Sequence, residues 1–334
     1  MHIINGLNIY WTNIDKAQIG IDARVGARLD SLIPAEIELV DALTKPHTEQ
    51  EYFAHAQHLN IPPSRAKRLL AMLNTAGYLA TEEPQLPDAE VNARIHQTPP
   101  SRRTSAHIHI PRLDPLGVGI AIALAASGIS TISTADEGPV TARDHPILAT
   151  TMIGMPKIHA LTHILRRINP VVHLNSPALP DLAVVTGSHA IDPYYCGAFT
   201  SKGIPTLNAW VEEIDVYIGP LTLPHETPCA SCVYYYRLEQ NPDWAILAPQ
   251  LFAAAAIPPA VATRDLAIAI AAREIVAEID GLHSPLRNHI CLIPPAPEPP
   301  KLRPIAAHPR CGCIEIAPHA TEIESQASHY LIAR

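Results

Sequence analysis

The chain is short of aromatic residues, short of positive charge and without any long unbroken apolar run. Only 5% of its 334 residues are aromatic, with three Phe among them. Ala, Ile, Leu and Val carry most of the hydrophobic 47%, which suits helices packed on a sheet better than an all-β sandwich. The formal charge is −8 and the isoelectric point about 6.1, so nothing in the balance attracts nucleic acid or an anionic membrane. The longest apolar run, Leu116 to Ala126, falls well short of the ~20 residues of a membrane span. A second, Ala245 to Ala262, is broken by Pro249, Pro258 and Pro259. The opening stretch MHIINGLNIYWTNIDK lacks the basic-then-apolar pattern of a secretory signal. The expectation is a soluble, cytoplasmic protein with no nucleic-acid or membrane partner.

The length exceeds what a single core fills efficiently, roughly 250–300 residues, and the pattern divides accordingly. Residues 1–83 read as a small α+β domain. NGLNIYWT and AQIGIDARV have the alternation of short strands. Three helices follow: one opening at Pro34, one near Thr48 with Glu51 three residues on, and one after Ser64 with Ala66, Leu69, Leu70 and Leu73 on one face. Strands with three short helices resemble a winged helix. This segment holds seven Lys/Arg against ten Asp/Glu, the wrong sign for phosphate contacts, so peptide recognition is expected of it instead. Either Asn8–Trp11 or Ile19–Val25 offers a strand edge to which a peptide could add. Residues 84–105, rich in Pro and charge, read as a linker.

From residue 106 to 334 the pattern becomes strand–helix alternation: HIHI, LGVGIAIALAASG, ISTISTA, KIHALTHILRRI, VVHL, DLAVV and GIPTLNAWV. This is the signature of a mainly parallel, doubly wound Rossmann-like sheet. Six cysteines are present. Cys229-x-x-Cys232 and Cys311-x-Cys313 are two close pairs suited to a tetrahedral zinc. A closed four-ligand site is structural. The one-residue spacing of the second pair leaves His308 as an alternative fourth ligand to Cys313. Cys196 and Cys291 read as core residues.

Three stretches carry a resemblance: the second strand ending in Asp136 with Val140 following; MIGMPKIHALTHILRRINPVVHL, with Lys157, Asn169 and Pro170 in register; and GPLTLPHETPCASC with its late cysteine partners. On these the second domain resembles the ThiF/MoeB/HesA family, relatives of ubiquitin-activating enzymes. The resemblance implies a four-cysteine zinc knuckle, an ATP–magnesium site and a homodimer. Asp136 then stands for the ribose-binding acid, Lys157 for the nucleotide-site lysine and Gly117 for the last glycine of the phosphate loop.

The rest of that site departs from the family's pattern. Pro111-Arg112-Leu113-Asp114-Pro115-Leu116-Gly117 replaces a glycine-rich loop; two of its residues lack N–H groups, and Asp114 brings negative charge to the phosphate position. Gly138 stands where a second acid belongs. Asp144 to Leu148 replaces the stretch with the phosphate-binding Arg, and Gly187-Ser188-His189 the segment with the magnesium-binding Asp, for which Asp192 is a conceivable substitute. ATP and magnesium are therefore doubtful cofactors.

A winged-helix-like segment ahead of such a domain resembles the leader-peptide-binding partners used in making thiazole/oxazole-modified peptides, which serve a separate YcaO-type enzyme. The expectation is a non-catalytic scaffold, a pseudoenzyme; the alternative is an adenylyltransferase activating a carboxylate of a peptide or a ubiquitin-like or sulfur-carrier protein. His159 and His163 stand four apart without an accompanying acid, so no catalytic metal is expected there.

Overall fold

The computed structural model describes residues 1–81, 91, 95 and 101–314. The chain forms two compact units, Met1–Pro100 and Ser101–Arg334.

In the first unit, β1 (His2–Ile3) pairs antiparallel with β5 (Leu79–Ala80). A separate antiparallel sheet runs β2 (Ile9–Asn13), β3 (Lys16–Ile19), β4 (Ala27–Leu29), with β3 in the middle. The three helices are α1 (Pro34–Ala42), α2 (Glu49–His58) and α3 (Pro63–Thr75). Thr48 and Glu51 form the expected reciprocal cap, Glu51 N donating to Thr48 Oγ1 at 3.2 Å and Thr48 N to Glu51 Oε2 at 2.7 Å. Ile19, Ile37, Val40, Leu43, Tyr52, Leu69 and Leu73 make one core, each burial stabilising by roughly 1.5–3 kcal/mol. The Tyr52 hydroxyl donates to Ala66 O at 3.0 Å, tying α2 to α3.

In the second unit the seven-stranded sheet runs β12-β11-β10-β9-β8-β6-β7: β6 (His107–His109), β7 (Thr131–Ser133), β8 (Leu182–Ser188), β9 (Thr206–Glu212), β10 (Asp215–Thr222), β11 (His289–Ile293) and β12 (Lys301–Pro304). The pairings β7–β6, β6–β8 and β8–β9 are parallel, and those from β9 through β12 antiparallel. The sheet is thus mixed, not mainly parallel: β9 turns straight back into β10, since Glu212 pairs with Asp215. VVHL is not a strand. Pro170 leads into it, and only His173 bridges to Thr131.

The helices of this unit are α4 (Ser101–Ser105), α5 (Pro115–Ala126), α6 (Pro146–Ala149), α7 (Lys157–Ile168), α8 (Pro193–Thr200), α9 (Ala230–Gln240), α10 (Trp244–Ala253) and α11 (Val261–Ile279). The C-terminal end of the expected linker is therefore helical. Its Arg103 forks onto Asp280 at 3.0 and 2.7 Å and donates to Ser127 O at 3.0 Å. The other residues of that segment lie outside the described residues apart from Val91 and Ile95. α5 packs on α11 and β8, closely enough that a Cβ on Gly119 would sit 2.1 Å from Ile268 Cδ1. No helix among the described residues is long and apolar enough to cross a membrane.

Candidate functional site: a cysteine cluster and a closed loop

The fold brings together two groups of the residues singled out in the sequence. The first is the cysteine cluster. The chain enters α9 at Cys229, and one turn later Cys232 faces the same point. β12 then returns the chain to Cys311 and Cys313. Cys229 and Cys311 lie 3.4 Å apart, as do Cys232 and Cys313, with Cys229 and Cys232 at 3.9 Å. All four Sγ atoms fall within 4.8 Å of one another. Zinc–sulfur bonds of about 2.3 Å in a tetrahedron put thiolates about 3.8 Å apart, so the donor set fits one zinc.

His308 does not join them. Its Nε2 pairs with Glu239 at 2.8 Å and its Nδ1 accepts from Arg310 N at 3.1 Å. Its backbone N–H donates to Cys232 Sγ at 3.3 Å. The alternative fourth ligand thus supports the cluster from outside it. Tyr235 stacks on the His308 ring at 5.2 Å and Tyr236 meets it edge-on at 4.8 Å. Of the two remaining thiols, Cys196 donates to Asn208 Oδ1 at 3.0 Å, and both it and Cys291 are buried. Burial pushes both thiols above their ordinary value.

The second group surrounds the loop between β6 and α5. Two backbone donors of this loop are already engaged. Asp114 caps α5, accepting from Gly117 N at 2.8 Å. Asp136 accepts from Leu113 N at 2.9 Å and Gly138 N at 3.0 Å. Gly117 is needed where it stands, because a Cβ there would lie 2.2 Å from Arg112 O. Lys157, at the start of α7, is no solvated terminal lysine. Its ammonium lies 2.9 Å from Asp144 and 3.3 Å from Asp136.

The electrostatics follow. Burial raises the Asp114 carboxyl above its ordinary value, outweighing its bond from Gly117. At Asp136 burial acts upward too, but the two backbone donors and Lys157 prevail and hold it low. Lys157 is held high: desolvation opposes its charge, and the Asp144 bond and the two carboxylates overcome it. Asp144 was not foreseen as a partner. It accepts from both the N–H and the hydroxyl of Thr141, at 2.6 and 2.8 Å.

Asp192, the conceivable magnesium substitute, stands at the start of α8. It caps α8, accepting from Tyr194 N at 2.9 Å and Tyr195 N at 3.3 Å. His189 has left-handed backbone at φ 65°. A further cluster escaped the sequence reading: His107 Nε2 and His109 Nδ1 share the Ser133 hydroxyl at 2.7 and 2.8 Å. Alternating polar positions on two adjacent parallel strands were its only signal.

No protein-family model matches the chain, and no curated protein is similar to it in sequence. Solved structures do match in fold. Escherichia coli MccB with AMPCPP and MccA is similar at a TM-score of 0.65 and 16% identity, over 94% of this chain and 99% of that one. The microcin C7 biosynthetic enzyme MccB with N-formylated MccA is similar at 0.64 and 15%, over 93% and 98%. PaaA is similar at 0.66 and 13%, over 90% and 99%. The chain thus has the fold of MccB and PaaA along nearly its whole length.

Proposed function

We propose that the protein is a ThiF-type scaffold that binds a peptide in a peptide-modification system and does not itself spend ATP. The observation that carries this reading is the closure of the nucleotide position. The N–H groups of Leu113 and Gly117 are bound to Asp136 and Asp114, and Lys157 is bound to Asp136 and Asp144. An incoming triphosphate would have to displace three carboxylates. Peptide binding is supported by MccB, whose MccA carries selenomethionine and an N-formyl group and is therefore a peptide.

In this reading residues 1–83 act as a winged-helix-like recognition domain. Its peptide-accepting edge is β2, since of the Ile19–Val25 alternative only Ile19 is strand, at the end of the central β3. Tyr10 and Trp11 stand 44% and 52% exposed along β2, ready to flank an added strand. The peptide is then presented to a YcaO-type enzyme in the cytoplasm by a homodimer, whose four cysteines hold a structural zinc.

Calorimetry with magnesium ATP and a candidate precursor peptide tests the reading. The expected result is no heat with millimolar ATP and saturable peptide binding that Thr12→Pro in β2 abolishes. Pyrophosphate exchange by the pure protein would overturn it. That outcome belongs to the second reading, an adenylyltransferase, which the juxtaposition of Asp136 and Lys157 favours. Exchange would then vanish in Lys157→Ala.

A further inference from the structure

The outer face of α7 carries a stripe that neither the cysteine cluster nor the nucleotide position uses. Ala160, Leu161 and Leu165 are fully buried. His159, His163, Arg166 and Arg167 are exposed on the opposite face, and with Thr162 they line a depression of about 360 Å³. The Thr162 hydroxyl is turned back onto Ile158 O at 2.6 Å, so the donors left facing outward are the two imidazoles and two guanidiniums. The sequence of α7 contains no acid, and neither arginine has an ion-pair partner among the described residues.

A local positive stripe in a chain of net charge −8 runs against the general field and is not explained by solubility. The helix dipole accounts for arginines in the last turn. It does not account for His159, which sits at the opposite end of the same row.

We infer that this face of α7 docks a carboxylate-bearing segment of a partner protein. The guanidinium fork matches a carboxylate in two parallel bonds. From the middle of the His159–His163 pair to that of Arg166–Arg167 the axis rises about 8 Å, close to the roughly 9 Å of one three-residue turn of an extended polyproline II segment. Such a segment presents every third residue on one face, so acids at that spacing place one carboxylate on the His159–His163 pair and the next on Arg166–Arg167. A nucleic acid is the poorer occupant, because its affinity grows with the number of phosphates neutralised and the chain as a whole repels polyanions. A lipid surface is the poorer occupant, because Ala160, Leu161 and Leu165 are buried and only Ile168 at the end of the helix stands exposed among its large apolar side chains. The surface goes beyond the proposed function: it involves neither β2 nor the closed loop, so either can fail while the other stands.

The test is fluorescence anisotropy on the full chain with a labelled extended peptide carrying Glu at every third position. Controls are the same peptide with Lys for Glu and a single-stranded oligonucleotide. The expected result is saturable, salt-sensitive binding of the Glu peptide alone, weakened about tenfold or more in Arg166→Glu/Arg167→Glu with an unchanged Tm. Should that variant fail to fold, Arg166→Ala/Arg167→Ala gives the same readout. Equal binding by wild type and variant, no saturable binding by wild type, or tighter binding of the oligonucleotide overturns the inference.

Discussion

The Lys157 ammonium lies 2.9 Å from the Asp144 carboxylate, with Asp136 at 3.3 Å on another side. The Asp144 side chain is only 7% exposed, so this cation neutralises a charge that water hardly reaches. Lys157→Ala leaves both carboxylates in place without it and is expected to cost about 3 kcal/mol. Urea unfolding measures the loss. Adding Asp144→Asn to Lys157→Ala should restore a good part of it, whereas a lysine that served solvation alone would show no coupling between the two positions.

Acid should weaken the second unit before it titrates most carboxylates. Burial, and to a lesser extent the neighbouring His107, holds His109 below the ordinary imidazole value of 6.5. The unfolded chain therefore takes up this proton first. The stability it contributes is present above 6.5 and is lost as pH falls through the folded value. Unfolding midpoints measured from about pH 7.5 down to about pH 5 should decline, and His109→Gln should flatten that decline.

Zinc should be found at one ion per chain by elemental analysis of protein purified without chelator. Cys232→Ser should lose it. His308→Ala should keep the stoichiometry but bind about tenfold more weakly or worse, because its ring joins Glu239 to the turn before Cys311 and so holds in place the backbone N–H that donates to Cys232 Sγ. Competition with a chromogenic chelator reads both effects.

Arg103 and Asp280 are 5% and 6% exposed in a two-pronged ion pair. Arg103→Met takes the guanidinium away from a buried carboxylate, with an expected cost of about 3–5 kcal/mol. The Arg103→Met/Asp280→Leu pair should recover much of it in the same melting experiment.

Local chemistry was legible in the sequence where the chain announces it locally. Pro34 opens α1, the Thr48–Glu51 spacing marks α2, and Ala66, Leu69 and Leu73 are the buried face of α3. The two cysteine pairs signalled a cluster before any fold was known. The antiparallel half of the sheet was hidden by its turn. The two-residue link between β9 and β10 is Glu213–Ile214, with Glu213 at φ 48°, where a hairpin usually advertises itself with Asn or Gly. Asp144 was read as the loss of an arginine and proved to be the partner of a lysine. No helical or strand spacing links residues 144 and 157, so only the folded loop could bring them together. Asp192 and His308 were ambiguous in sequence for a related reason: a capping carboxylate and a supporting imidazole have the same letters as ligands.

The cysteine cluster also sets an order of events in synthesis. Cys229 and Cys232 lie at the start of α9, whereas Cys311 and Cys313 follow β12, with 78 residues intervening. At roughly 5–20 residues per second, the ribosome takes about 4–16 s to cross that interval. For those seconds the first pair is a half-site, open to oxidation or to holding a metal with two ligands. The cluster is therefore completed late, only after every strand among the described residues has been translated.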